Sequence, residues 1–117
     1  MLLIHNQPGY ADALSDTDRD ALLGEVDAIM AELTKTGELV RGEALADPSQ
    51  TRTVRVRDGM PAITDGPFIE AKEQFAGYLL VDCDSLERAT EIAARWPDAR
   101  FAAMEVRPVI HQSGPDR

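Results

Sequence analysis

The chain has 117 residues, with 12 lysines and arginines against 21 aspartates and glutamates, so its formal net charge is −9 at neutral pH. This length predicts a single domain, and the hydrophobic fraction of 44% is that of a soluble globular protein. A protein that binds nucleic acid or docks on anionic lipid would carry a basic patch, so the composition argues against both partners.

The two ends of the chain bear on where the protein resides. The apolar run that starts the sequence has four residues and no basic start, which is too short for the run of about 7–15 residues in a signal peptide. No stretch approaches the roughly 20 apolar residues of a membrane span, so we expect a cytoplasmic protein. Residues 111–117 contain no apolar side chain and are predicted to be a disordered tail, which leaves residues 1–110 as the domain.

The first third of the chain predicts a strand, a helix and a second strand. Residues 2–5 form a short apolar strand. Ser15 is a suitable N-cap for a helix whose apolar residues recur with a period near 3.6, and Gly37 is suited to end it. A strand is expected over residues 39–45.

A hairpin follows. In residues 53–57, Val54 and Val56 alternate with Thr53, Arg55 and Arg57, so one face of the strand is apolar and the other carries the arginines. Asp58-Gly59 is a strong signal for a two-residue hairpin turn, and residues 61–64 form the return strand. The segment Asp65-Gly66-Pro67-Phe68 predicts a second turn, with Phe68 expected to anchor it in the core.

The last third predicts a strand, a helix and a final strand. Residues 75–83 form the most apolar strand, with Phe75 and Leu79 directed to one face and Tyr78 and Asp82 to the other. Asp84, paired with Glu87, resembles a capping box for the second helix, and Pro97 is expected to stop that helix. The final strand is predicted over residues 101–109.

This order of elements predicts an α+β, ferredoxin-like fold, βαββαβ with an inserted hairpin and both helices on one face of the sheet. The central strand is apolar on both faces, so the second sheet face also needs a cover. A homodimer that packs sheet against sheet would supply one. The hairpin could instead cover part of that face or brace the dimer.

Most motifs that carry chemistry are absent from the sequence. It has no phosphate-binding glycine loop, no paired cysteines, no His-Glu-x-x-His and no Gly-x-Ser-x-Gly. We therefore predict no metal site and no cofactor. The single cysteine, Cys83, lies in an apolar run, which favours a buried structural thiol over a nucleophile.

His5 is the first candidate catalytic residue. It ends the first predicted strand beside Asn6 and Gln7, where a polar strand end can form the rim of a pocket. Histidine titrates near neutral pH and is suited to act as a general base. The alternative is a histidine that is merely hydrogen-bonded at a strand end.

A second group of candidates surrounds the Asp65 turn. Asp65, Glu70 and Lys72 are close in sequence, and carboxylates beside a lysine change one another's proton affinity, which suits acid–base chemistry. A solvated turn held by ion pairs explains the same pattern and is the interpretation we favour.

Tyr78 and Asp82 could line a cavity as ligand-binding residues, although Asp82 could also simply mark the strand end. Exposed arginines on the hairpin and last strand could bind an anion or only make an edge soluble.

Several of these segments together resemble one family. They are Thr53-Val54-Arg55-Val56-Arg57-Asp58-Gly59, Thr64-Asp65-Gly66-Pro67-Phe68, Glu70-Ala71-Lys72-Glu73-Gln74, Gly77-Tyr78 and Glu105-Val106-Arg107-Pro108-Val109. The pattern is similar to the YCII-related proteins of the DGPF subgroup and covers residues 1–110.

The resemblance implies a dimeric ferredoxin-like α+β barrel. Most members are uncharacterised, and some are adjacent or fused to sigma-factor-like regulators. Some relatives are proposed to use a His–Asp pair, and one removes chloride from a hydroxylated aromatic ring. Their histidine lies in the first helix, and the corresponding helix here contains none, so that pair is not carried over.

Two functions therefore remain open from the sequence. The first is a small-molecule pocket with acid–base chemistry of the lyase or isomerase kind, with His5 as base and Asp65 and Lys72 on the polar rim. The second is a non-enzymatic binding or regulatory module associated with transcription. Its contact surface would be the acidic first helix, since residues 1–37 carry seven acidic and two basic side chains. A solvated helix face explains the same charges and is the explanation we favour. An enclosed cavity holding His5 and a carboxylate would favour the first.

Overall fold

Six strands and three helices make up the fold in the computed structural model, which describes residues 1–115. In chain order they are β1 (Leu2–Asn6), α1 (Asp16–Thr36), β2 (Leu39–Ala44), β3 (Arg52–Arg57), β4 (Met60–Asp65), β5 (Gln74–Val81), α2 (Leu86–Arg95), α3 (Asp98–Phe101) and β6 (Ala103–Val106).

The strands form two separate sheets. The main sheet has the order β2-β5-β1-β6, and its neighbouring strands are all antiparallel. This mixed α+β arrangement is compatible with the predicted ferredoxin-like fold. β3 and β4 pair only with each other as a two-stranded sheet, so the predicted hairpin is confirmed. Asp58 and Gly59 both have positive φ at its turn, 52° and 76°, as a type I′ turn requires.

The first helix begins and ends where its sequence predicts. The Ser15 hydroxyl accepts a hydrogen bond from the Asp18 N–H, at 3.1 Å, and Gly37 adopts the left-handed conformation with φ of 80°. A Ser N-cap satisfies one of the free N–H groups of the first turn, and a left-handed glycine ends the helix without the strain of a Cβ. Within α1, Ile29 and Leu33 are buried.

The core lies on one face of the main sheet. Residues from the sheet and from both long helices share it, namely Leu2, Ile29, Leu33, Leu79, Ala89, Ile92, Ala93 and Trp96. Within residues 1–115, no helix has the length and apolar character to cross a bilayer.

Within residues 1–115, α1 and α2 contribute their buried residues to this core, which leaves the opposite face of the main sheet without a helix. Because side chains alternate along a strand, Leu3 and His5 of β1 point away from the core that contains Leu2 and Ile4. The strand register places Tyr78 and Glu105 on either side of Leu3 on this face. We call the surface formed by Leu3, His5, Phe75, Tyr78 and Glu105 the helix-free face.

A β-bulge in β5 changes the predicted direction of one side chain. Ile4 pairs with Gly77 but His5 pairs with Phe75, so β5 has one extra residue, Ala76, at this step. The prediction that Phe75 shares a face with Leu79 is therefore wrong, because strict alternation fails across a bulge. Phe75 instead lies beside His5, with ring centroids 5.8 Å apart.

The start of α2 also differs from the prediction. Its N-cap is Ser85, whose hydroxyl accepts from the Arg88 N–H at 3.0 Å, and not Asp84. With Ser85 as the cap, the third helical residue is Arg88, so Glu87 is out of register for a capping box. α2 then ends at Arg95, just before Pro97 as predicted.

The last strand is shorter than predicted. Asp98–Phe101 form one helical turn, α3, which removes the first residues of the predicted strand. β6 ends at Val106, two residues before Pro108, which has no N–H to donate to a neighbouring strand.

The chain after β6 lies near the sheet. Residues 106–112 line a cleft of about 470 Å³ that also includes Leu80 and Cys83. Leu80 is only 5% exposed. The sequence suggested a second copy or the hairpin as the cover of the second sheet face, but at this end the segment after β6 lies over part of it. Cys83 is half-buried, and its thiol donates to the Ser85 carbonyl oxygen. The predicted tail extends to residue 117, and Asp116 and Arg117 lie outside the described residues.

Candidate functional site

His5 and Glu105 form a hydrogen-bonded pair on the helix-free face. In the β1–β6 register, Glu105 is opposite Leu3 and His5 is opposite Ala103, so the two side chains are diagonal neighbours on one face. The His5 Nε2 lies 2.5 Å from the Glu105 Oε1. The His5 side chain is 26% exposed and that of Glu105 is 59% exposed, so the pair is open to a ligand.

This pair determines how the imidazole presents its nitrogens. An ionised carboxylate can only accept a hydrogen bond, so Nε2 carries a proton and donates it to Glu105. In the neutral ring the other nitrogen, Nδ1, is then an acceptor. Glu105 thus acts as a positioning residue that holds the ring with Nδ1 available as a proton acceptor.

Phe75 gives the pair an apolar neighbour. The bulge places its ring against His5 at an interplanar angle of 58°, and the Phe75 side chain remains 40% exposed. Bulges often occur next to functional sites because they redirect a side chain in this way. An apolar wall beside a proton acceptor suits a ligand with an apolar body and an exchangeable proton.

Two clefts meet at Phe75. A cleft of about 340 Å³ lies between Phe75, Asn6 and Tyr10. A groove of about 490 Å³ lies between Phe75, Leu45 and the turn residues Phe68 and Ile69.

Phe68 and Ile69 are each 66% exposed, so the prediction that Phe68 anchors its turn in the core is wrong. Phe68 instead packs under the Arg55 guanidinium, which is 5.2 Å from the ring centroid.

A buried carboxylate supports one wall of the smaller cleft. Asp98 is 5% exposed and accepts hydrogen bonds from the Asn6 side-chain amide, at 2.9 Å, and the Tyr10 hydroxyl, at 3.3 Å. Burial, followed by the charge of Asp98 and this hydrogen bond, raises the pKa of Tyr10 to about 12. The Tyr10 ring also packs on Phe101, at 5.3 Å. These contacts fix the loop after β1 to α3.

The structure places the predicted residues of the Asp65 turn on the surface. Asp65 ends β4, and Glu70 and Lys72 lie in the segment before β5, all of them exposed. The chain bends at Gly66, which has a φ of 94°, and the Thr53 hydroxyl donates to the Gly66 carbonyl oxygen at 2.7 Å. Among residues 1–115, no hydrogen bond or ion pair joins this group to His5.

Tyr78 and Asp82 have different settings. Tyr78 is half-buried on the helix-free face, opposite Leu3 of β1 and Glu43 of β2. β5 ends at Val81, so Asp82 lies beyond the strand and the two residues do not share a strand face. The Asp82 N–H donates to the Glu38 carbonyl oxygen at 2.7 Å, which keeps the chain beside the start of β2.

Two residues of this site, Glu105 and Phe75, were not recognised from the sequence as neighbours of His5. Glu105 is paired with His5 across 100 positions of sequence, and pairing the predicted first and last strands could have suggested it. The family resemblance places Asp98 near the aspartate of the relatives' His–Asp pair, but that pair was not carried over because the first helix contains no histidine. The bulge that brings Phe75 to His5 has no sequence signal in this chain apart from Gly77.

Within the described residues, no group of three or more histidine, cysteine or acidic side chains could hold a metal ion.

Comparison with known proteins assigns the chain to a family. The family model of the YCII-related domain matches residues 1–113, so the chain belongs to the YCII-related family, as the sequence predicted. The chain is also similar to an uncharacterized protein from Rhizobium meliloti (strain 1021). The two are 29% identical over 110 residues, which is 92% of this chain and 89% of that protein.

Proposed function

We propose that this protein binds a small neutral molecule at the helix-free face and that His5 acts on it as a general base. The observation that carries the proposal is the His5–Glu105 pair at 2.5 Å. This pair leaves Nδ1 as the acceptor, beside the exposed ring of Phe75. A neutral ligand is favoured over an anion because Glu105 and the net charge of −9 repel anions.

The apolar groove indicates the ligand's body. Leu45, Phe68, Ile69 and Phe75 line it, and apolar and aromatic side chains of this kind suit a ligand with an apolar or aromatic body. The reaction that fits begins with removal of a proton from carbon by Nδ1. In an isomerase the proton is then returned to a different carbon, and in a lyase a leaving group departs with its electron pair from the neighbouring carbon as a double bond forms. Tyr78 belongs to the ligand-binding surface in this proposal. Roles for Asp65, Glu70, Lys72 and Asp82 remain predictions.

A second copy of the chain would complete the site. The helix-free face is open in a single copy, and general-base catalysis on carbon works best where water is excluded. We propose that two copies pack these faces together, as the dimeric α+β barrel of the DGPF subgroup would, and that His5 is enclosed between them. A homodimer of this kind also covers Leu3, Phe75 and Tyr78.

The test is a melting-temperature screen with phenols and cyclic ketones, followed by proton exchange. We expect one or more compounds to stabilise the parent protein, and His5→Asn to remove the effect, while His111→Asn retains it as a matched control. In D₂O, the parent should speed deuterium incorporation next to the carbonyl of a bound ketone by about 100-fold or more over His5→Asn.

Two results would contradict the proposal. One is stabilisation of the parent and of His5→Asn to the same extent by every compound that binds. The other is the absence of any stabilising compound, which would favour the alternative of a non-enzymatic binding module that uses the acidic face of α1.

A further inference from the structure

The hairpin of β3 and β4, residues 52–65, stands apart from the core. Each of its strands pairs only with the other, and every hairpin residue except Thr53 is exposed. The base of the hairpin is closed by two hydrogen bonds between its own ends. The Thr53 hydroxyl donates to the Gly66 carbonyl oxygen at 2.7 Å, and the Gly66 N–H donates to the Thr51 carbonyl oxygen at 2.8 Å. A two-stranded hairpin alone is at best marginally stable in water.

One face of this hairpin is apolar. Residues that are paired directly across two antiparallel strands share a face, and Val54 pairs with Ile63 while Val56 pairs with Pro61. Val54, Val56 and Ile63 are each 61% exposed. The other face carries Arg55 and Arg57. A contiguous exposed apolar stripe beside a charged face marks an interaction surface.

Charge distribution favours another copy of this chain as the partner. The hairpin carries three arginines and two aspartates, whereas the rest of the sequence has nine basic and nineteen acidic residues. The hairpin is thus the basic part of an acidic molecule, and it is attracted to the surface of a second copy. Complementary charge of this kind steers association between surfaces.

The shape and size of the surfaces agree with this partner. The radius of gyration is 16.5 Å, against about 13 Å for a compact domain of this length, so a single copy is extended. Two sheet faces of four short strands bury only on the order of 600 Å² when packed together. Two reciprocal hairpins, each about 20 Å by 10 Å, add on the order of 800 Å². The total, about 1,400 Å², is that of a standard stable interface.

We propose that the hairpin is an arm that packs its apolar face onto a second copy of this chain, at the rim of that copy's helix-free face. The inference rests on the proposed function, because the arm helps to enclose the His5 site of the other copy. Each site is then completed by residues of both copies, with Val54 and Ile63 adding to its apolar wall.

Two substitutions at adjacent positions of β4 test the arm. Ile63→Asp places a charge on the apolar face, and Ala62→Asp places the same charge on the arginine face of the same strand. In sedimentation equilibrium, we expect Ile63→Asp to raise the dissociation constant of self-association by about tenfold or more, since a charge would be buried in the interface. We expect Ala62→Asp to raise it less, by about threefold at most, because that charge stays in solvent and only weakens the attraction between the hairpin and the acidic surface of the second copy. Amide exchange in residues 52–65 should slow as the parent concentration rises.

The outcomes separate this inference from the proposed function. If the parent self-associates and neither variant weakens that association, the proposal that the hairpin contacts a second copy is overturned, and the site at His5 stands. The apolar face of the hairpin would then bind a different protein or stay in solvent. If the parent is monomeric at all concentrations, the arm and the enclosure of His5 are both overturned. The response of His5→Asn to ligands is then still measured on the monomer. Val54→Asp, on the opposite strand, repeats the test should Ile63→Asp unfold the hairpin.

Discussion

At the residue scale, the strongest constraint in the site region is a buried charge. Asp98 is 5% exposed, and a carboxylate in such a position needs hydrogen-bond donors in place of water. Asn6 and Tyr10 supply them. Asn6 is the last residue of β1, next to His5, and Tyr10 lies in the loop that follows. Asp98 therefore holds the wall of the smaller cleft and also keeps the end of β1 in place.

Removing this carboxylate should destabilise the protein. Asp98→Ala leaves the Asn6 amide and the Tyr10 hydroxyl without their acceptor, and we expect the free energy of unfolding to fall by about 1–3 kcal/mol. Asp84→Ala is the matched control, since Asp84 is exposed and is expected to change stability by less than about 0.5 kcal/mol. Urea denaturation of the two variants measures the difference. Equal stability of the two would show that Asp98 has no such structural role.

Residue-level prediction from sequence succeeded where a local pattern was enough. Ser15 and Gly37 were recognised as helix ends because capping depends on the adjacent backbone alone. His5 was selected for its chemistry and position, but its partner Glu105 was not, because that contact depends on how two distant strands align. Ser85 was missed because Asp84 beside it has the same capping chemistry.

At the element scale, the β5 bulge is the feature on which the site depends. Gly77 lies beside it with φ of 158°, and a Cβ at this position would lie 2.5 Å from the Glu43 carbonyl oxygen of β2. Only glycine lets β2 approach β5 this closely. Gly77 is therefore needed for β2 to pair closely with β5 next to the bulge. The bulge itself, through Phe75, determines the surroundings of His5.

Two glycine substitutions should have opposite signs. Gly77→Ala forces β2 and β5 apart, and we expect it to lower the free energy of unfolding by about 1–3 kcal/mol. Gly24→Ala, in the middle of α1 with no atom within 4 Å of the added Cβ, should raise it by about 0.5–1 kcal/mol. Thermal denaturation of both variants checks the pair. If Gly77→Ala leaves the free energy of unfolding unchanged, β2 and β5 can pair beside the bulge without a glycine at this position.

An ion-pair network joins the two long helices to the start of β2. Arg88 of α2 donates to Glu38 at 2.8 and 2.9 Å and to Glu32 of α1 at 3.3 Å, and Arg95 donates to Glu32 at 2.7 Å. These hydrogen bonds from Arg88, followed by one from Thr36, lower the pKa of Glu38 to about 2.

The network predicts a specific dependence of stability on acid. Because the pKa of Glu38 is lowered in the folded state, its contribution is complete above its ordinary value of 4.5 and is lost as the pH falls toward 2. Glu38→Gln should therefore be less stable than the parent at neutral pH, and the difference should shrink on acidification. Glu91→Gln, which removes one exposed contact to Arg88, should change little. A constant difference between parent and Glu38→Gln from neutral to acidic pH would contradict this assignment.

Most elements follow from the sequence, and the exceptions have physical causes. The hairpin was predictable because Asp58-Gly59 specifies its turn. The helical turn of α3 was not, since four residues carry no periodic pattern. The bounds of β5 and β6 were overestimated because apolar residues continue past the point where strand pairing stops.

At the scale of the whole molecule, the main feature is the apolar surface that stays exposed on the helix-free face and on the hairpin. Helices cover one face of the main sheet, while the helix-free face and the hairpin leave apolar side chains in water, including Phe75 at 40% and Ile63 at 61% exposure. Large exposed apolar surface of this kind indicates contact with a partner. The need for a cover followed from the sequence, because β5 is apolar on both faces. How far the hairpin stands from the core did not, because alternation along a strand does not say which face is buried.

The picture of the whole molecule depends on His5 being part of a site enclosed between two copies of the chain. The rate of deuterium exchange at the imidazole C2 position, followed by mass spectrometry at increasing protein concentration, measures this enclosure. His111 is exposed in the segment after β6 and serves as an internal control in the same molecule. We expect exchange at His5 to slow several-fold as the dimer forms, while exchange at His111 stays constant. Exchange at His5 that is as fast as at His111 at every protein concentration would show that His5 is not enclosed between two copies.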